Sequence, residues 1–169
     1  MSSRHSVEIG DFQRTVCAAP HAVYAMFSRA EYLEQWFIPP STQLIKSVLD
    51  FKVGGTYQYG MASVGRPEVW GRLDFVAIAE PNSVIFVQSV TDCSGRIIPP
   101  LAGSEWLLRM KSDFSIRSCS AGAVLTQEVS VVESRGQEQD FVKFMWKELS
   151  VEYEAALGRL AHIFVDRRS

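Results

Sequence analysis

Glu148 and Glu152 stand four residues apart, the spacing that brings two carboxylates to one face of a helix and suits general acid or base work. A carboxylate there needs burial to acquire a useful pKa, and glutamates beside Lys147 and Arg159 also fit an ordinary solvated helix edge. Cys17 is a nucleophile only with a base beside it, and none of His5, His21 and His162 is placed by sequence to supply one. A small buried hydrophobe is the stronger account of it. Cys17, Cys93 and Cys119 contain no CxxC pair, so neither a disulfide framework nor a zinc site is indicated. No GxSxG, HExxH or Walker-type loop occurs, and the VGG at 53–55 is too short to cradle a phosphate. No catalytic group, metal or cofactor is therefore expected.

The aromatic and amide residues are more informative. Trp36, Tyr57, Tyr59, Trp70, Phe86, Trp106 and Trp146 form an aromatic set distributed over strands and helices. Such rings are core-packing residues by default, because they bury large areas. On a cupped sheet closed by one helix, some must instead border an apolar cavity of ligand size. Gln88 lies on the strand parity of Val84, Phe86 and Val90, and Gln127 on that of Leu125, Val129 and Val131. Each amide is thus set among apolar neighbours and needs a partner, either in the core or on a bound molecule. Arg72 shares its face with Glu68 and Asp74, which points to a solvated strand face.

These residues are positioned by a readable order of elements. Alternation suggests a first strand near Phe12 to Ala18. Pro20 then opens a helix through AVYAMF, where its missing N–H costs nothing. Ser28 is a candidate cap for a second short helix, RAEYLEQWF, which Pro39 and Pro40 end. Strands follow at Gln43 to Phe51, after the Gly-Gly kink of VGGTYQY, along EVWGRLDFVAIA, at Ser83 to Thr91, from Trp106 to Ile116 and from Val124 to Val132. The segment Cys93 to Gly103, with two prolines and two glycines, reads as a loop. A bulge near Trp70 and Gly71 would exchange the two faces of that strand, so its inward parity stays open.

The clearest periodic signal is a helix from about Asp140 to Phe164. Val142, Met145, Trp146, Leu149, Tyr153, Ala156, Leu157, Leu160, Ile163 and Phe164 recur at spacings of three and four, with Lys143, Lys147 and Glu154 opposite. The helix should therefore lie on apolar material along its whole length. At 1.5 Å per residue, about 25 residues reach roughly 37 Å, enough to cross a sheet diagonally. The expected architecture is α+β of helix-grip type: a curved antiparallel sheet of about six to seven strands wrapped round the C-terminal helix, with two short helices after the first strand.

Several runs sharpen that outline. APHAVYAMFSRAEYLEQWFIPP, LDFKVGGTYQYGM, WGRLDFVAIAEPNSVIFVQ, EWLLRMKSDFSI and LGRLAHIF resemble, in this order, the motifs of the activator-of-Hsp90-ATPase-homologue-like branch of the START-like (SRPBCC) superfamily. The resemblance covers roughly Phe12 to Phe164 and lies in the order of weak motifs. The strand led by Gly71 is about two residues longer than the family's, and AVLTQEVSVV lacks the usual Thr-Arg-like start. The resemblance implies a START or Bet v 1-like fold. It implies a small apolar or amphipathic molecule held between sheet and helix, a chaperone-contacting module, or a cyclase- or hydrolase-like enzyme using the same cavity. For the first of these, the ligand-binding candidates are Trp36, Tyr57, Tyr59, Trp70, Phe86, Gln88, Trp106, Gln127, Met145, Leu149 and Tyr153. An enzyme would draw on Gln88, Gln127, Arg72 or Glu152.

The totals agree with a ligand-holding or interaction role. At 169 residues the chain fits one domain with a core of about 12–164 and short flexible termini. Formal net charge is -2, with 47% hydrophobic and 21% charged residues, so no field gathers nucleic acid or an anionic membrane. No apolar run is long enough to span a bilayer, and MSSRHSVEIGDF has no signal-peptide core, so a cytoplasmic protein is expected. A homodimer is compatible with all of this.

Overall fold

Seven runs of alternating apolar residues build one antiparallel sheet in the computed structural model, which describes residues 6–132 and 136–165. In chain order these are β1 (Val7–Val16), β2 (Gln43–Leu49), β3 (Thr56–Ala62), β4 (Val69–Ala79), β5 (Ser83–Val90), β6 (Arg109–Cys119) and β7 (Gly122–Val131). In space they lie in the order β1-β7-β6-β5-β4-β3-β2. After the first strand come α1 (Pro20–Ser28) and α2 (Ala30–Phe37), and α3 (Gly136–Val165) closes the chain. The curved sheet gripping the long C-terminal helix is the expected architecture.

Pro20 starts α1, as its fixed φ favours. Ser28 does not cap α2: its hydroxyl donates to the carbonyl of Ala25, and Arg29 occupies the N-cap with no side-chain bond. The serine is the last residue of α1, so the preceding turn takes its proton. Both helices bury one face, through Val23, Met26 and Phe27 of α1 and Leu33 and Trp36 of α2. The Trp36 indole donates to the backbone oxygen of Met26 at 3.0 Å, and the Phe27 ring meets Phe114 of β6 edge-on at 4.9 Å. The two helices thereby plug one end of the sheet.

The ladder between β3 and β4 runs without a break from Thr56↔Asp74 to Met61↔Val69, so Gly71, Leu73 and Phe75 point inward and Trp70, Arg72 and Asp74 outward. The β4 bulge falls later, between Phe75 and Ala77. There the parity changes, leaving Val76 exposed while Ile78 packs on the core. The expected strand from Trp106 begins only at Arg109. Its neighbours end there, at the pairs Ser89↔Arg109 and Met110↔Val131, and residues 104–108 have no ladder to join.

The apolar stripe of α3 is real, but it does not lie on packed material throughout. Val142 near one end and Leu157, Leu160 and Phe164 near the other are buried; Met145, Trp146, Leu149 and Tyr153 between them are half-buried. The middle of the helix is fastened along the β1 side, where Phe12 meets Trp146 at 6.0 Å and Tyr153 at 5.8 Å. Gly10 permits this approach, since a Cβ there would lie 2.3 Å from the Trp146 ring. Anchored at β1 and at its C-terminal half, α3 bridges the central strands instead of filling them.

Candidate functional site

A cavity of about 510 Å³ lies where the helix bridges the sheet. Its floor comes from Tyr59 of β3, Phe86 and Gln88 of β5, Ser112 and Phe114 of β6, and Gln127 of β7. Trp36 and Phe37 close the α2 end, and Leu149, Glu152, Tyr153, Ala156 and Arg159 form the α3 wall. Ser41, Arg66, Pro67 and Val69 are exposed and line the mouth, while the deep residues Trp36, Phe86, Phe114 and Gln127 are buried.

Most of the lining is apolar, and four polar side chains of its floor are arranged in two pairs. Gln88 Nε2 donates to the Tyr59 hydroxyl at 2.7 Å, and Gln127 Nε2 donates to Ser112 Oγ at 3.0 Å. Each glutamine thus satisfies its amide nitrogen across the floor. The first pair depends on a glycine. Tyr59 and Gly71 are register partners, and a Cβ on Gly71 would lie 2.2 Å from the Tyr59 hydroxyl. The missing side chain lets the phenol lie flat across β4 and reach β5. On the opposite face the neighbouring pair does the reverse: the Trp70 ring covers Gly60, where a Cβ would lie 2.4 Å away.

Burial governs the phenols. It pushes Tyr59 up to about 12, partly offset by the Gln88 hydrogen bond. It raises Tyr153 still further above the ordinary tyrosine range, with the nearby Tyr59 adding to the effect. Both rings therefore face the cavity as neutral hydroxyls near pH 7. Arg159 is the cation of the α3 wall; burial holds it below the usual arginine value, and Glu152 pulls the other way.

The cavity lining includes Trp36, Tyr59, Phe86, Gln88, Gln127, Leu149 and Tyr153 from the sequence candidates. Tyr57, Trp70, Trp106 and Met145 lie outside it. Tyr57 is fully buried and its hydroxyl is 3.1 Å from Ser47 Oγ, whose own proton goes to Glu34, so the ring is turned toward β2 and α2. Trp70 lies on the outer face with its indole on Glu68. Trp106 stacks edge-on against Phe141 at the start of α3, 5.2 Å away. Arg72 is paired with Asp74 and the Gly95 carbonyl on the outer face, as its charged neighbours suggested, and does not join Gln88, Gln127 and Glu152.

Sequence reasoning passed over Phe37, Ser112 and Arg159. Ser112 shares the parity of Met110 and Phe114, which was the available signal. Leu149, Glu152, Ala156 and Arg159 recur at three, four and three, one line along a helix, and that spacing could have singled out the arginine. Phe37, beside Trp36, contacts Tyr59 at 5.2 Å and Phe86 at 6.4 Å.

Comparison with known proteins gives this geometry its context. The sequence profile of the family described as activator of Hsp90 ATPase homolog 1-like protein matches residues 18–157. The chain belongs to that family. Among curated proteins none matches it. The activator-of-Hsp90-ATPase-homologue fold recurs in solved structures at low identity. An Arthrobacter aurescens protein superposes with a TM-score of 0.72 at 20% identity, over 92% of this chain and 85% of that one. A Mycobacterium smegmatis protein gives 0.70 at 13%, over 93% and 90%. A protein of the same family from Silicibacter pomeroyi gives 0.66 at 18%, over 95% and 99%. No helix among the described residues is long and apolar enough to cross a membrane.

Proposed function

We propose that this family member binds a small amphipathic molecule in the cavity between the sheet and α3. The observation that carries the reading is the bridging of the sheet centre by α3, which leaves about 510 Å³ lined mainly by apolar side chains. That size and lining are those of small-molecule sites, in which a few polar groups fix orientation. Here the orienting groups are the Tyr153 and Tyr59 hydroxyls and the oxygens of Gln88 and Gln127. The family's description names activation of a chaperone ATPase; the ligand reading rests on the cavity and not on that description.

Nile red, a neutral solvatochromic dye, tests the reading. Its fluorescence should shift to the blue on titration and saturate at one dye per chain. Leu149→Trp, which fills the cavity from the α3 wall, should abolish the shift while the protein stays folded by circular dichroism. An unsaturable signal, or one equally strong in the variant, would remove the cavity as the binding site.

A further inference from the structure

Arg159 brings a positive charge to the cavity wall, and the protein leaves that charge largely uncompensated. Its Nε donates to the backbone oxygen of Trp36 at 3.0 Å, which pins the guanidinium where α3 meets the end of α2. Its Nη2 is closed off from solvent and has no hydrogen-bond partner among the described residues. Glu152, two helical turns earlier on the same line, acts on it through space without forming an ion pair. A partly desolvated cation with one buried nitrogen unpaired and no ion-pair partner costs folding free energy, and an anion placed against it offsets that cost.

We propose that the cavity's ligand is an amphipathic carboxylic acid, its apolar body lying over Phe86 and Leu149 and its carboxylate paired with Arg159. A planar guanidinium matches a carboxylate better than it matches a neutral hydroxyl, and the pairing strengthens where water is displaced. With Arg66 exposed at the mouth, the one arginine of the α3 wall, partly opposed by Glu152, suits a single negative charge better than a phosphate dianion. Because Nε is already committed to Trp36 and Nη2 is closed off, the carboxylate pairs with the part of the guanidinium that lines the cavity. The mainly apolar lining then disfavours small hydrophilic acids, which have no body to bury. This assignment rests on the ligand-binding reading and narrows it to one chemical class.

Isothermal titration calorimetry near neutral pH separates the two claims with matched probes, decanoate against decan-1-ol and 2-naphthoate against 2-naphthylmethanol. At least one acid should bind about tenfold more tightly than its alcohol, the ratio expected of a hydrogen bond to a charged group. In Arg159→Gln that acid-to-alcohol ratio should fall to near one. In Glu152→Gln, an exposed position with little risk to folding, the ratio should rise several-fold because the opposing carboxylate is gone. If Arg159→Gln does not fold, the Glu152→Gln arm decides. An alcohol binding as tightly as its acid in the unsubstituted protein, or a ratio unmoved by Glu152→Gln, overturns the carboxylate assignment and leaves the ligand-binding reading standing. Absence of binding by all four probes overturns both.

Discussion

Tyr59 and Gly71 show how one residue type sets the cavity floor. The phenol reaches Gln88 only because its register partner has no side chain, so Gly71→Ala must displace a buried ring or bend the strand. We expect a loss of about 1–3 kcal/mol in urea unfolding, the usual cost of overpacking, together with loss of the Tyr59 to Gln88 hydrogen bond. An unchanged midpoint would mean that the ring has room elsewhere. Burial of the phenols also gives the fold a pH limit. Tyr57 and Tyr59 are both raised from 10.0 to about 12, chiefly by desolvation. A folded-state pKa above the unfolded one means that the stabilisation is complete below pH 10.0 and is lost as pH rises toward about 12. The loss should be on the order of 2 kcal/mol for each ring at the upper end of that window. The phenolate signal of these two rings should appear together with unfolding; phenolate formed near pH 10 in the folded protein by either ring would contradict this. At this scale parity was a sound guide, placing Gln88 and Gln127 inward and Arg72 outward. It also put Tyr57 on the inner face, where the ring is buried, but could not show that its hydroxyl is claimed by Ser47 and not by the cavity.

At the scale of elements, α3 carries two jobs along one apolar stripe. Its ends are packing surfaces and its middle is a wall. Leu160→Ala, in the fully buried C-terminal half, should therefore cost about 2–5 kcal/mol in denaturant unfolding. Arg14→Ala, which removes the exposed pair with Glu154 near the helix middle, should cost no more than about 1 kcal/mol. Comparable losses for the two would mean that the helix is held by its charges and not by its ends. Periodicity located the stripe because the spacing of three and four needs no tertiary information. It could not show which stretch of the stripe meets packed residues and which meets a cavity. That depends on Phe12 and Gly10 fixing the helix at the β1 side, a contact between positions more than 130 residues apart in the chain. The same limit explains Trp106: its apolar parity matched the following strand, but both neighbouring strands stop at Arg109 and the ring turns to Phe141.

For the whole molecule, the order of strands and helices was enough to reach the helix-grip fold, because each element carries its own pattern and the neighbours from β2 to β7 follow one another in the chain, with β1 alone joining across it to β7. The family followed from the sequence of weak motifs such as VGGTYQY and LGRLAHIF, none of them decisive alone. The cavity was less legible, since it is the space left when α3 is anchored at β1 and against α2 while the sheet curves beneath it. Its chemistry joins residues as distant as Trp36 and Arg159. The claim that this space holds a ligand is tested most directly by methyl-selective NMR during titration with Nile red. Saturable shifts should appear at Met61, Leu149 and Ala156, which line the cavity, and be absent at the exposed Val48, Val64 and Val151. Shifts centred on the exposed set, or none that saturate, would contradict it.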